Sequence, residues 1–222
     1  MEDKAISEKE SLELITSMIN KARNSCYETG LAPILWGSVI AICALVQLAQ
    51  IHFEFQLPFD IYWLTFIAII PQLWLTFKEK KERIVRSHND VVMDYLWLGF
   101  GICIFLLIHA NSGVFHFLNE LQGDYRELAG KSHSFQFSNH VLSYFLMLYG
   151  LPTFITGAIM KFKPMLWGGI FCWICSAVCV YTDIEIDLLL TALSAIFAWL
   201  VPGILLRQRY LSEKMKETVL DV

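Results

Sequence analysis

The chain has 222 residues, 56% of them apolar and 14% aromatic, with 17 Lys and Arg against 21 Asp and Glu for a formal net charge of −4. A soluble domain usually holds about 45–50% apolar residues, so a mean hydropathy of +0.51 with repeated long apolar runs excludes water as the main solvent and points to a bilayer. The negative balance argues against nucleic acid, which calls for a basic patch.

Residues 1–30 are polar and hold no short apolar core of the signal-peptide kind. Ser7 and Glu10 form a capping-box pattern, and Leu12, Ile15, Met18, Ile19, Ala22 and Cys26 recur at three- and four-residue steps. An amphipathic cytoplasmic helix is expected, ended by Gly30. Its acids and bases are nearly balanced, unlike the Lys- and Arg-rich helices that seek lipid. Residues 7–28 are therefore expected to dock onto protein: the basic loop between the second and third runs, a second copy or a separate partner, with simple packing on the chain's own bundle as the plainer alternative.

Six apolar runs follow, at about 31–51, 57–77, 91–110, 141–160, 164–182 and 186–206. Each is long enough to cross a hydrocarbon core about 30 Å thick as a helix. The expected fold is thus all-α and polytopic, with six transmembrane helices arranged as three hairpins, an outer loop over 111–140 and a cytoplasmic tail over 207–222.

Orientation follows from the basic residues, which cluster on the cytoplasmic side of short loops. Lys4, Lys9, Lys21 and Arg23 precede the first run, and Lys78, Lys80, Lys81, Arg83 and Arg86 separate the second from the third. Lys161 and Lys163 lie between the fourth and fifth, and Arg207, Arg209, Lys214 and Lys216 follow the sixth. That places 15 of 17 basic residues on one side, with Arg126 and Lys131 opposite. Both termini are expected to be cytoplasmic.

The outward runs open alike, "APILWGS" at Ala32 and "KPMLWGG" at Lys163. Proline is well placed in a first helical turn, whose N–H groups have no intrahelical partner. Each inward run carries a proline before its cytoplasmic end: Pro71, Pro152 and Pro202. These are candidate hinges around a central path, as in transporters built from repeats, although proline is also common in membrane helices for structural reasons.

Chemistry-bearing residues are sparse. His109, His116 and His140, with His52 and His133, share the outer side with Glu54, Asp60, Glu120, Asp124, Glu127, Asp183, Glu185 and Asp187. They are weak candidates for a divalent metal or haem, because no HxxxH, HExxH or CxxC spacing sets two ligands one turn apart. Asp94 is the acid that falls clearly within a run, which makes it either a proton or ion relay or a first-turn helix anchor. Cys172, Cys175 and Cys179 align on one helix face, where close packing is the simpler account than thiol chemistry. Gln47, Gln50, Gln72, Thr153, Thr156, Thr191 and Ser194 offer uncharged polar groups for a path or for helix–helix bonds, and Gly99, Gly101, Gly150, Gly157, Gly168, Gly169 and Gly203 permit close approach. No catalytic motif is present, so a non-enzymatic protein without a cofactor is expected.

The stretches "LITSMINKAR", "ETGLAPILWG", "YGLPTFITGAIMKFKPMLWGGI" and "WLVPGILLR" resemble a group of uncharacterised six-span bacterial membrane proteins found chiefly in Bacteroidota. The resemblance covers most of the chain and implies an inner-membrane location, with no activity, cofactor or catalytic residue to carry over. The leading expectation is a small permease or channel-like component. The alternatives are a sensor or accessory protein signalling through its N-terminal helix, and a metal- or haem-binding protein using the outer histidines.

Overall fold

A computed structural model describes residues 29–82, 88–129 and 140–220. Among them the chain is helical with no strand: α1 (Leu31–His52), α2 (Trp63–Glu82), α3 (His88–Ala129), α4 (Val141–Ile159), α5 (Lys163–Val178), α6 (Ile184–Ala195) and α7 (Val201–Leu220). A π-helical turn, Ile196–Leu200, joins α6 and α7 into one rod. Four helices are long and apolar enough to cross a membrane, within Leu31–His52, His88–Gly123, Val141–Ile159 and Ile184–Met215, while α5 is apolar but only 16 residues long. This is the architecture of an integral membrane protein.

The helix limits depart from the apolar runs in three places. The second helix starts at Trp63 rather than near 57, because Asp60 builds its entry: the carboxylate Oδ1 accepts the Tyr62 N–H at 2.9 Å and the carbonyl accepts the Trp63 N–H at 3.1 Å. The third continues far past residue 110, so the expected outer loop 111–140 is helical through Ala129. Isolated Gly113 and Gly123 are tolerated and no proline intervenes. At 42 residues α3 measures about 63 Å, roughly twice a hydrocarbon core. The expected tail likewise continues α7 to Leu220, its Gln, Arg, Leu, Glu, Lys and Met residues all being good helix formers.

The packed body consists of α1, α4, α5 and the α6–α7 rod. Helices α4 and α5 lie antiparallel, with Ser143 against Ser176 at one end and Gly157 against Leu166 at the other. Their connection is tight: the Phe162 N–H reaches back to the Gly157 carbonyl at 2.8 Å and Lys161 takes φ 51°, the left-handed residue that ends many helices. The rod runs antiparallel to both α5 and α1, with Ala198 on Gly168 and Leu200 on Gly37.

Glycine sets these distances. A Cβ at Gly157 would lie 2.4 Å from the Leu166 nitrogen, and one at Gly169 2.7 Å from the Phe154 nitrogen. Backbones approach this closely only where a side chain is missing, which is how membrane helices gain van der Waals contact where lipid and protein are equally apolar.

Helices α2 and α3 stand outside this body. Helix α2 touches α1 through Val39, Cys43 and Ala68, whereas its Ile67, Ile70, Trp74 and Phe77 are exposed. Helix α3 meets the body mainly through Trp97 and Phe100. Gly99 and Gly101, expected to permit close approach, face nothing within 4 Å among the described residues.

Candidate functional site

Between α4, α5 and the α6–α7 rod runs a column of buried polar side chains: Asp187, Thr191, Ser194, Ser143, Ser176, Thr153 and Thr156. Its origin is local. Asp187, Thr191 and Ser194 follow at steps of four and three, which places them on one helical face. Opposite them stand Cys172, Cys175 and Cys179, also at helical spacing and all buried with free thiols.

At one end of the column Asp187 is fully enclosed. Its Oδ1 meets the Thr182 hydroxyl, the Cys179 thiol lies beside it, and its Oδ2 has no hydrogen-bond partner among the described residues. One turn further in, the Thr191 hydroxyl bonds the Asp187 carbonyl at 2.8 Å. Ser143 and Ser176 clasp α4 to α5 reciprocally, each hydroxyl donating to the other's carbonyl at 2.8 Å. Ser194 lies beside Cys172 and Cys175, yet its oxygen makes no full hydrogen bond among the described residues.

Further along, the Trp199 indole N–H donates to Thr153 Oγ1 at 2.7 Å, and that hydroxyl donates to the Tyr149 carbonyl at 2.7 Å. Around this pair Trp97, Phe100, Tyr149 and Trp199 form an aromatic cluster, with Tyr149 and Trp199 ring centres 4.9 Å apart. Thr156, fully buried one turn along α4 from Thr153, has a third oxygen with no hydrogen-bond partner among the described residues.

The prolines sit against this column unevenly. Pro152 and Pro202 are fully buried within it, whereas Pro71 lies in the outlying α2. Pro202 has no N–H for the Ala198 carbonyl, and its ring would crowd that oxygen in a regular helix. The rod widens just before it, so that the Val201 N–H reaches the Ile196 carbonyl five residues back. Such turns are rare and concentrate at functional sites. Sequence marks the proline but carries no sign of the widened turn.

The other candidates lie elsewhere. Asp94 is an exposed residue of α3, with its Oδ2 3.4 Å from Lys80 Nζ. His109 and His116 do share α3, but two turns separate them by about 10 Å of rise, too far for one ion bound at about 2 Å from each nitrogen. His116 instead lies 3.5 Å from Glu120, and His140 is exposed at the start of α4. Among the described residues no three His, Cys, Asp or Glu side chains are grouped to hold a metal. The amphipathic segment 7–28 lies outside the described residues.

Asp187 is the residue that position concealed: near the start of its run, it counts as one more outer acid. Its signal was the polar stripe continuing through Thr191 and Ser194. Compared with protein-family models, curated proteins and solved structures, the chain matches none.

Proposed function

We propose that the protein crosses the bacterial inner membrane six times as three hairpins, with both termini cytoplasmic, and acts there as a small gated permease or channel-like component whose path follows the buried polar column. Contacts at the two ends support the orientation. Thr29 bonds Glu79, Lys80 pairs with Asp94, and Arg209 stacks on Phe162 at the end rich in Lys and Arg. His52 meets Glu185 at the opposite end, 3.6 Å away.

One observation carries the transport reading: three polar oxygens, on Asp187, Ser194 and Thr156, are buried with no hydrogen-bond partner among the described residues beyond the thiols beside the first two, in a column flanked by Pro152, Pro202 and a π-helical turn. An unpartnered buried polar atom costs about 1–3 kcal/mol, and a purely structural core would replace it with carbon. Glycine contacts at 157, 168 and 169 keep the helices shut in this state, so passage requires α4 and the rod to bend where proline has already removed a helical bond.

The test uses purified protein in vesicles, with Cys26, Cys43 and Cys103 replaced by Ala. Shrink–swell light scattering with glycerol and a potassium-flux dye report permeation, and a small water-soluble methanethiosulfonate reports wetting of Cys172, Cys175 and Cys179. Flux with thiol labelling, both altered by Pro152→Ala and Pro202→Ala, is expected. Folded protein that passes neither probe and leaves all three thiols unlabelled would overturn the reading.

A further inference from the structure

The hydrogen bonds around Thr182 constrain what Asp187 holds. The Thr182 oxygen lies within bonding distance of two groups, the Val178 carbonyl at 3.2 Å and Asp187 Oδ1. A hydroxyl has one hydrogen. If it goes to the carboxylate, the Val178 carbonyl keeps its 2.9 Å bond from the Tyr181 N–H and loses the longer one from Thr182. If it goes to Val178, the bond to Asp187 survives only when the carboxyl itself is the donor. Both contacts are satisfied together when Asp187 carries a proton, in the order Asp187 to Thr182 to Val178.

The surroundings favour the same state. Asp187 is 0% exposed, and among the described residues no cation forms an ion pair with it. The titratable groups facing it are Asp183, of like sign in the preceding turn, the Cys179 thiol from the end of α5, a neutral group that hydrogen-bonds it, and His140 from the start of α4, the one neighbour whose charge would favour the carboxylate. Glu185, on the same turn, is directed to His52 of α1. An ionised carboxylate enclosed without a cation is strongly disfavoured, and a proton relieves it without further ligands.

We propose that Asp187 is a proton-binding site at the outer end of the polar column, filled from the water that adjoins the exposed Asp183 and His140. Hydronium gives its proton to the carboxylate, water leaves, and Thr182 turns its hydroxyl from Asp187 to Val178. When the carboxyl releases the proton, Thr182 turns back. The coupling of this proton to movement along the column rests on the transport reading above, whereas proton binding itself does not.

Infrared difference spectra of the protein in lipid, recorded as pH is lowered, test the site without any transport assay. A protonated-carboxyl stretching band present in the wild type and missing in Asp187→Asn is expected. In Thr182→Val the same band should persist at higher frequency, because its hydrogen bond is gone. If Asp187→Asn folds and removes no carboxyl band at any pH, the site is overturned, and a band that Thr182→Val does not move overturns the Thr182 switch. In vesicles the wild-type flux should change severalfold with outside pH and Asp187→Asn should flatten it. Unchanged flux alongside a confirmed band would keep the proton site and reject the column as the path.

Discussion

Helices α4 and α3 are both apolar enough to cross a membrane, yet they meet their surroundings in opposite ways. Helix α4 buries Gly150, Pro152, Thr153, Thr156 and Gly157 against α5 and the α6–α7 rod, so its small and hydroxylated residues face protein. Helix α3 exposes Tyr95, Leu98, Phe105, Leu106 and Phe117, and its Gly99 and Gly101 touch nothing among the described residues. Between helices in lipid there is no hydrophobic driving force, so close packing and polar bonds hold the body together, and large apolar side chains face acyl chains equally well. The body therefore has one tight arrangement, and the outlying helices have a solvent.

The largest effect that separates the two regions comes from adding a methyl group. Gly157→Ala would force a Cβ to 2.4 Å from the Leu166 nitrogen, and overpacking of this kind costs about 1–3 kcal/mol, more where backbone must move. Gly101→Ala meets open space and should raise stability by up to about 1 kcal/mol, the helix-propensity difference. Thermal unfolding in one detergent compares them. Equal melting temperatures would mean that α4 and α5 are not clasped as described.

Next in size is the polar bond at the centre of the body. Trp199→Phe removes the indole N–H that Thr153 accepts and should cost about 1–2 kcal/mol, near the top of the range for such bonds in membranes. Thr153→Val should cost a similar amount, and the double variant should lose little more than either alone, since the two share one bond. Trp36→Phe, which removes a 3.1 Å bond to Gln72 between α1 and the outlying α2, should cost less. Additive losses at Trp199 and Thr153 would show that their bond contributes nothing.

Much of this division was written in residue types rather than in hydropathy. The fourth to sixth runs concentrate Gly, Ser, Thr and Cys at helical spacing, and the described structure buries them together, including Cys172, Cys175 and Cys179 on one face as their spacing predicts. The second and third runs are rich in Ile, Leu, Phe and Trp, and these side chains are the ones left exposed. Hydropathy alone scores both kinds of run alike, because a protein interior and a lipid tail are equally apolar. It also misplaces the ends of α3, since a helix continues on propensity and hydrogen bonding after its apolarity stops. The π-helical turn was not legible, because Pro202 marks where a helical bond is missing but not how the packed backbone accommodates it. Asp187 was legible only as part of a stripe, and Asp94 drew attention by depth although its side chain pairs with Lys80 at the surface.

A smaller effect concerns the seam between the two regions. Trp97 and Phe100 carry α3 onto Tyr149 and Trp199. Replacing both by Ala should leave the melting of the body within about 1 kcal/mol, as expected for residues outside its tight contacts, while speeding amide exchange along α3. The measurement is hydrogen exchange read by mass spectrometry on peptides from 88–129 and 141–159. Equal acceleration in both peptides would make α3 part of one cooperative unit.

The smallest effect lies at the end rich in basic residues, where Lys80 of α2 meets Asp94 of α3 at 3.4 Å with both side chains nearly half exposed. A pair in that setting gains little Coulomb energy against water and loses side-chain freedom, so a double-mutant cycle with Lys80→Ala and Asp94→Asn should give about 0.2–1 kcal/mol of coupling. Salt should erase most of it, because the screening length shrinks to about 3 Å at 1 M. The value discriminates because the pair joins the two outlying helices to each other rather than to the body. Coupling above about 2 kcal/mol that persisted in high salt would mean that the pair is shielded from water, and that this end of α2 and α3 is as enclosed as the polar column.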